Sequence, residues 1–367
     1  MPTADIAAAV LSVDLGAIQE NYRIVKKRLG ALACAAAVKA DAYGVGAIEA
    51  SRALAGAGCK EFFVASVEEG MELRPVLGEA PIHVLYGPMA GTEVVLAEHR
   101  LTPVLNSLGD VERWGAEARR LGRELPCDLH FCSGMNRTGF PAAEAETLAE
   151  EPDRLAGLSI GIVMSHLYCA DVPGSPESGK QLERFRDIRS RFPMGRASFA
   201  NSSGIFLGPE YHFDLGRPGI ALYGGNPTPD AANPMRAVIA LQAPILQVRT
   251  IAPGDVVGYG ATFHAASTLR AATVPLGYAD GYHRTLGNRG VTHIGGIACP
   301  VLGRISMDLI SIDVTAVSEN KAHPGATVEI IGPSQDIEDV AARAGTNSNE
   351  ILTSLGARYH RVYIGGD

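Results

Sequence analysis

The stretch LACAAAVKADAYGVG, residues 32–46, contains the feature on which the fold prediction rests. Its first seven residues are small and apolar, a run typical of a parallel strand that is covered on both faces. Lys39 follows the run directly, and Tyr43 comes four residues later. Taken alone, such a lysine is favoured to be a surface residue, so its meaning depends on what the other strand ends carry.

Seven further apolar runs follow before residue 225, and helix-like segments separate most of them. The runs are FFVAS (62–66), IHVLYG (82–87), LTPVLN (101–106), CDLHF (127–131), SIGIVMSH (159–166), ASFAN (197–201) and GIALYG (219–224). Eight alternating β/α units predict an α/β fold with an N-terminal (β/α)8 barrel of the TIM type rather than an open sheet.

The sequence pattern changes after NPTPDAANP, residues 226–234, because the residues that follow predict strands and turns instead of the β/α alternation. A helix is predicted over 14–30, with Asp14 as its N-cap, because apolar residues repeat there at helical spacing. We therefore predict three segments. Residues 1–13 form an N-terminal strand that packs with the C-terminal domain, residues 14–232 form the barrel, and residues 233–367 form a mostly β C-terminal domain.

Composition excludes several classes of protein. The 367 residues carry a formal net charge of -8, which argues against nucleic acid as a partner. No apolar run approaches the roughly 20 residues that a membrane span needs. The first residues include Asp5 and no basic segment, so no signal peptide is expected. Six scattered cysteines without a CxxC pair favour reduced thiols in a cytoplasmic protein.

Polar residues fall at the carboxyl ends of the predicted strands, where barrels of this type place their chemistry. They are Lys39, Asn106, the loop SGMNRTG (133–139), His166, Asn201-Ser202 and LGRPGI (215–220). No pair of carboxylates converges, which leaves a glycosidase-like site unsupported. No HExxH motif or cysteine–histidine cluster occurs, so no metal site is predicted.

This set of side chains suits pyridoxal phosphate as a cofactor. A lysine in a dehydrated pocket loses its charge and can attach a carbonyl compound covalently. Glycine amides and a serine hydroxyl near the seventh and eighth strands match the phosphate site that barrels often place there. Each residue also has an ordinary structural explanation, and only their joint placement at strand ends favours a site.

Nine motifs in order resemble those of the alanine racemase family. They are VDLGAIQENY (13–22), AVKADAYGVG (37–46), SGMNRTGF (133–140), SH (165–166), ANSSG (200–204), GRPGIALYG (216–224), VGYGATF (257–263), LGYADGY (276–282) and GRISMDLI (303–310). They cover nearly the whole chain and both predicted domains. The resemblance implies a pyridoxal phosphate-dependent isomerase with an N-terminal barrel and a mostly β C-terminal domain.

The resemblance also implies roles for barrel residues. Lys39 would hold the cofactor covalently and act as one of two catalytic bases. Arg217 would face the ring nitrogen, and Arg137 would contact both the phenolic oxygen of the cofactor and the substrate carboxylate. The cofactor phosphate would be bound by Tyr43, Ser202 and the backbone amides of Gly219 and Ile220.

Residues of the C-terminal domain would complete the site. Tyr259 would be the second base and would enter from the other subunit of a homodimer. His166 would orient Tyr259 and lie between it and Arg217. The backbone amide of Met307 would bind the substrate carboxylate, whereas Tyr278 and Asp308 would line the entry.

The implied reaction is the interconversion of L-alanine and D-alanine. A racemase for serine or other amino acids remains an alternative, because the catalytic residues would be the same and only the pocket would differ. A decarboxylase of the same barrel type and a non-catalytic pyridoxal phosphate-binding protein are less favoured. The sequence leaves open whether the D-alanine serves as a peptidoglycan precursor or whether the reaction degrades alanine.

Besides Cys132, Ser198 and Ser306, two positions depart from the pattern of the family in ways that bear on Arg137 and the phosphate. His130 stands where some members carry a carbamylated lysine that orients the arginine seven residues later, here Arg137. A bound anion or His130 itself would then have to orient Arg137. Ala357 precedes Arg358 where some members place a phosphate-binding tyrosine, so one phosphate contact is lost or comes from Tyr359.

Overall fold

The computed structural model describes residues 7–366, which form two compact units. The barrel unit contains Ile18–Leu222 and Asn226–Arg236. The second unit contains the described residues before Ile18, Tyr223–Gly225, and the described residues from Ala237 onwards. Residues 1–6 of the predicted N-terminal strand lie outside the described part of the chain.

The first strand and helix are β1 (Val10–Asp14) and α1 (Leu15–Leu29). Asp14 caps the helix as predicted, because its Oδ1 accepts a hydrogen bond of 2.8 Å from the amide of Ala17. The buried face of α1 consists of Ile18, Tyr22, Val25 and Leu29. Gly30 ends the helix with a φ of +64°.

Nine short strands build the barrel. They are β2 (Ala33–Cys34), β3 (Ala36–Ala37), β4 (Phe62–Val64), β5 (Ile82–Val84), β6 (Thr102–Leu105), β7 (Leu125–His130), β8 (Leu158–Met164), β9 (Arg196–Ser198) and β10 (Leu215–Gly216). β2 and β3 are two pieces of one strand, interrupted at Ala35.

β3 to β9 form one parallel sheet of seven strands in sequence order, and β10 pairs in parallel with β2. The amides of Asp214 and Arg217 donate to the carbonyls of Ala197 and Ala200, at 3.0 and 2.9 Å, which joins the chain of β9 to that of β10. The curled sheet therefore returns to its first strand, and the predicted N-terminal α/β fold is confirmed.

The helices of the barrel unit lie between these strands. They are α2 (Lys39–Gly44), α3 (Ala47–Gly56), α4 (Val67–Leu77), α5 (Glu93–Glu98), α6 (Leu108–Leu121), α7 (Ala142–Glu150), α8 (Glu177–Arg191) and α9 (Ser202–Leu207). Most of them follow the predicted β/α alternation. α2 is different in kind, because four of its consecutive residues have positive φ angles.

The position predicted for the eighth strand is wrong. The prediction placed it at GIALYG, residues 219–224, but the strand is Leu215–Gly216 and residues Ile220–Tyr223 form a 3-10 turn. Ala221 and Leu222 are fully buried in this turn. A short buried apolar run reads alike as a strand or as a helical turn, so periodicity could not distinguish them.

A cluster of charged groups joins strands of the barrel, and its His83 and Asp128 side chains are buried. The Nδ1 atom of His83 is 2.5 Å from Oδ2 of Asp128, and the guanidinium of Arg196 makes two hydrogen bonds of 2.6 Å with Glu61. The imidazole of His83 also stacks on Phe63, with ring centroids 4.5 Å apart. Burial by itself lowers the pKa of His83, but the carboxylates of Asp128 and Glu61 raise it to about 9.

The free energy of unfolding is therefore expected to fall as the pH rises from 6.5 to about 9, the ordinary and the folded-state pKa of His83. In this window the folded protein keeps a proton that the unfolded chain releases, so the stabilisation is complete below pH 6.5 and is lost through pH 9. The expected loss is about 3 kcal/mol. Urea unfolding at constant ionic strength measures it.

The matched control for this pH dependence is the double variant His83→Leu, Asp128→Leu, which removes the ion pair without leaving one charge buried alone. We expect the free energy of unfolding of this double variant not to fall as the pH rises from 6.5 to about 9. Equal slopes for wild type and double variant over the window would contradict the assignment to His83.

The second unit is mostly β. Its remaining strands and helices are β11 (Ile239–Pro244), β12 (Gln247–Ile251), β13 (Val256–Val257), β14 (Phe263–His264), β15 (Leu269–Val274), β16 (Val291–Ile294), β17 (Ile297–Leu302), β18 (Ile310–Asp313), β19 (Thr327–Ile331), α10 (Ile337–Ala344), α11 (Ser348–Thr353) and β20 (His360–Ile364).

A nine-stranded sheet runs through this unit in the order β12-β15-β18-β17-β16-β19-β11-β1-β20. β1 lies within it, antiparallel to β11 and parallel to β20. The mostly β C-terminal domain that the sequence predicts is confirmed. Within residues 7–366, no helix is both long enough and apolar enough to span a membrane.

Candidate active site

Lys39 stands at the end of β3 and begins a left-handed helical turn. Residues 40–43 have φ angles of 54, 54, 50 and 58°, although none of them is glycine. Each such residue costs roughly 1–2 kcal/mol relative to a right-handed turn, so contacts with the rest of the barrel must hold the segment. Glu69 of α4 provides one of them, since its carboxylate accepts a 2.7 Å hydrogen bond from the amide of Ala40. Its other oxygen accepts from the amide of Ala65 at 2.7 Å, which anchors the carboxylate at the end of β4.

The left-handed turn brings Tyr43 against the segment after β10. A Cβ atom added at Gly219 would lie only 2.1 Å from the hydroxyl of Tyr43. The hydroxyl of Ser202 accepts hydrogen bonds from the amides of Gly219 and Ala221, at 2.9 and 3.2 Å. Hydroxyl groups and backbone amides from three strand ends thus converge at one place, which has the chemistry of an anion site. Sequence reasoning named Ile220 and missed Ala221.

Arg217 is buried and held by groups on two neighbouring strand ends. Its Nη2 donates to the carbonyl of Ser165 at 2.6 Å, and its Nη1 donates to the hydroxyl of Ser198. Ser198 in turn donates its proton to the carbonyl of Leu215 at 2.6 Å, so its oxygen is left to accept from Arg217. Burial lowers the pKa of Arg217 to about 10, opposed by Asp128, and the guanidinium stays charged at neutral pH.

The tautomer of His130 follows from its partner Asn106. The Nδ2 of Asn106 donates to the carbonyls of Leu85 and Val104, at 3.2 and 2.8 Å. Its Oδ1 therefore faces Nδ1 of His130 at 2.8 Å and must accept a proton from it. Burial first, then the charges of Arg217 and Arg137, lower the pKa of His130 to about 3. The imidazole is neutral, with a lone pair on Nε2.

The electrostatics of the site favour neutral bases. Burial and then the charge of Arg137 lower the pKa of Lys39, against a smaller opposing effect of Glu69. Burial, followed by the charges of Arg217, His130, Arg137 and Lys39, holds the pKa of His166 well below its ordinary value. Within the described part of the chain, the guanidinium of Arg137 forms no hydrogen bond or ion pair. An unpaired arginine near a lysine whose pKa is lowered suits an anionic ligand.

The remaining predicted site residues lie in the second unit. Tyr259 stands in the 3-10 turn Tyr259–Ala261, at the tip of the hairpin β13–β14, and is 71% exposed. The amide of Tyr278 donates to the carbonyl of Ser306 at 3.1 Å, which ties Tyr278, the predicted entry residue, to the segment that carries Met307. Both of these side chains are exposed.

The guanidinium of Arg358 supports the segment that carries Met307. Arg358 donates to Asp308 and Asp280, both at 2.7 Å. Arg358 is the residue beside Ala357, and Tyr359, the suggested alternative phosphate ligand, donates its hydroxyl to the carbonyl of Asp280 at 2.5 Å. In residues 7–366, no group of three or more histidine, cysteine, aspartate or glutamate side chains is arranged to hold a metal ion.

Two family models match the chain in succession. The model for the N-terminal domain of alanine racemase matches residues 13–227, and the model for the C-terminal domain matches residues 238–363. Among curated proteins, an alanine racemase of Rhodospirillum rubrum is 49% identical over 98% of this chain and 97% of its own length. A catabolic alanine racemase of Mesorhizobium japonicum is 46% identical over 100% of this chain and 96% of its own.

Solved structures give the same result. The alanine racemase of Bartonella henselae, determined with covalently bound pyridoxal phosphate, matches with a TM-score of 0.94 and 39% identity over 97% of this chain and 99% of its own. The alanine racemase of Streptomyces coelicolor matches with a TM-score of 0.92 and 33% identity over 99% of this chain and 100% of its own. The chain therefore belongs to the alanine racemase family.

Proposed function

We propose that this protein is a pyridoxal phosphate-dependent isomerase that interconverts L-alanine and D-alanine. The observation that carries the proposal is the position of Lys39, a half-buried lysine with a lowered pKa at a barrel strand end, near the unpaired guanidinium of Arg137. Lysines of lowered pKa in such pockets act as covalent catalysts and proton carriers.

The residues present fit the cofactor. The absence of a side chain at Gly219 lets the hydroxyl of Tyr43 approach the backbone closely, because any Cβ atom there would lie 2.1 Å from that hydroxyl. Tyr43, Ser202 and the amides of Gly219 and Ile220 would hold the phosphate, Lys39 would attach the cofactor, and Arg217 would face the ring. Bound there, the cofactor supplies a conjugated ring that withdraws electrons and acidifies the α-hydrogen of an amino acid.

The proton transfers would be shared by two residues. A racemase needs one base on each face of the α-carbon, because one removes the proton and the other returns it. Lys39 would serve one face, since its lowered pKa leaves more of it neutral and able to accept a proton. Tyr259 would serve the other face from the partner subunit of a homodimer, in agreement with its exposure of 71% in the single chain. His166 would orient it.

The substrate would be held by its carboxylate. Arg137 has no other acceptor in the described residues, and the backbone amide of Met307 forms no hydrogen bond within them. The neutral His130, with its Nε2 lone pair, would orient Arg137 without adding a negative charge. Tyr278 would narrow the entry together with Asp308, which favours alanine over larger amino acids. A cytoplasmic location stays a prediction, and it agrees with six unpaired cysteines.

The test is the formation of D-alanine from L-alanine, followed by chiral chromatography, with purified protein and pyridoxal phosphate. L-serine is measured in parallel. Turnover of alanine well above serine supports the proposal. Turnover of serine alone keeps the mechanism and replaces the substrate, and absence of both from protein that binds the cofactor overturns the racemase assignment.

Gly219→Ala is expected to weaken cofactor binding about 10- to 100-fold, because the new methyl group must displace the hydroxyl of Tyr43. The residue has an ordinary φ, so the effect comes from lost space and not from backbone strain. Absorbance titration of the apoprotein with pyridoxal phosphate measures the affinity. Gly179→Ala is the matched control, since nothing lies within 4 Å of its added Cβ. Equal affinities for the two variants would argue against a phosphate at Gly219.

A further inference from the structure

Gln181 of α8 is a fully buried amide whose two ends are both hydrogen-bonded. Its Nε2 donates to the hydroxyl of Ser133 at 2.9 Å and to the carbonyl of His166 at 3.0 Å. Its Oε1 accepts from the amide of Tyr168 at 3.0 Å. One side chain thus links the loop after β7 to the loop after β8, on which two of the proposed site residues lie.

The link continues from Gln181 to the groups that hold Arg217. An amide nitrogen can only donate, so the oxygen of Ser133 accepts from Gln181 and its own proton is available for Ser165, whose hydroxyl is 2.7 Å away. The carbonyl of Ser165 accepts from Arg217 at 2.6 Å. The bonds from Gln181 to Ser133 and from Ser133 to the hydroxyl of Ser165 can therefore run in one direction, and they end on the residue whose carbonyl accepts from Arg217.

A second residue on the same face of α8 fixes the start of the Arg137 loop. Arg184 lies one turn after Gln181, and its Nη1 donates to the carbonyl of Ser133 at 3.2 Å. A Cβ atom at the following residue, Gly134, would lie 2.7 Å from the same nitrogen, so α8 and this loop are in close contact. Arg137 comes four residues after Ser133 and has no polar contact of its own in the described chain. Its position consequently depends on how its loop is held, both at the ends and through the amide of Asn136, which donates to Sγ of Cys132 at 3.2 Å.

We propose that Gln181 is a positioning residue for the reaction: it holds the loop of Arg137 at a fixed distance from the strand end that carries His166 and from the peptide that orients Arg217. The inference rests on the proposed function, because it assigns the substrate carboxylate to Arg137. Gln181 touches no reacting atom, and it acts through Ser133, Ser165 and the backbone of residues 166–168.

The first test compares Gln181→Met with Gln19→Met in the holoenzyme. Gln19 is also buried, and its amide donates to the carbonyl of Ala53 at 3.2 Å, away from the strand ends that carry the site. Small displacements of positioning groups cost about 10- to 100-fold in rate. We expect Gln181→Met to lower kcat/KM by this factor, mainly through a higher KM for alanine, and Gln19→Met to leave both constants near wild type.

Hydrogen exchange of the apoprotein supplies a readout that does not depend on catalysis. In Gln181→Met, backbone amides of residues 133–139 and 166–168 should exchange at least about tenfold faster than in Gln19→Met. The exchange rates in the rest of the barrel should be the same in the two variants. Equal KM values and equal exchange in the two variants would overturn the inference. An exchange difference between the two variants, together with no racemisation by the wild-type protein, would instead refute the proposed function.

Gln181→Glu keeps the shape of the side chain and makes the donor dependent on pH. Only the protonated carboxyl group can donate to Ser133 or to the carbonyl of His166, and burial favours that form. The ratio of variant to wild-type kcat/KM should therefore rise as the pH falls. A ratio that stays constant over the pH range in which both proteins are folded would overturn the inference, even if Gln181→Met failed to fold.

Discussion

Lys39→Ala is expected to abolish racemisation, with a loss of at least about 1000-fold in kcat. The variant removes the covalent attachment of the cofactor and one of the two proposed bases at the same time. No other lysine replaces it at a strand end of the barrel in the described residues, and Arg137, whose charge acts on the pKa of Lys39, does not give up its proton readily. Chiral chromatography of alanine measures the loss.

A second readout separates attachment from proton transfer in this variant. Borohydride reduction followed by peptide mass spectrometry should find the cofactor on the peptide that contains Lys39 in wild type, and on no peptide in the variant. Lys60→Ala, at an exposed position, is the control and should keep both attachment and activity. Cofactor found on another lysine of the wild-type protein would contradict the assignment.

Tyr259→Phe is expected to lower racemisation by about 100- to 10 000-fold while one half of the chemistry persists. The variant keeps Lys39, which can still exchange the α-hydrogen on its own face. In deuterium oxide, one enantiomer of alanine should therefore gain deuterium without conversion to the other. Proton NMR of each enantiomer measures the exchange, and Tyr211→Phe serves as the control. Exchange lost equally from both enantiomers would contradict the two-base mechanism.

Mixing the two inactive variants tests whether the site is shared between subunits. In a mixed dimer of Lys39→Ala and Tyr259→Phe chains, a shared site combines an intact Lys39 of one chain with an intact Tyr259 of the other. Random exchange of subunits should then restore about a quarter of the wild-type activity, because half of the dimers are mixed and each has one intact site. If each chain used its own Tyr259, every site would lack one base and no activity would return.

The α/β architecture was largely predictable from sequence, because each buried strand of the barrel carries an apolar run and helix-like segments separate most of these runs. Asp14, as an N-cap, and Gly30 mark the bounds of α1 by local chemistry alone. The eighth strand was misplaced because the 3-10 turn that follows it is equally apolar and equally buried. The apolar composition of such a segment reflects its burial and does not reveal whether its backbone is a strand or a turn.

The candidate site also has a part that the sequence predicted and a part that it could not predict. The motifs located Lys39, Arg217 and Tyr259, since residue types at strand ends and the family resemblance are both properties of the sequence. The catalytic roles of these residues and the partner of Tyr259 stay predictions. The contact of Arg217 with the carbonyl of Ser165 could not be foreseen, because it joins a side chain to a backbone group 52 residues earlier in the chain.

By itself, the sequence determined the order of strands and helices and the domain types, and it predicted which residues carry the chemistry. Only the tertiary structure decided their conformations. Residues 40–43 adopt a left-handed turn against their local preference, and the carboxylate of Glu69, 26 residues after Tyr43, helps to hold it. Asn106 selects the tautomer of His130, and Gln181 fixes the loops of Arg137 and His166. Each is a hydrogen bond between distant segments, whose free energy exists only after the barrel has brought the partners together.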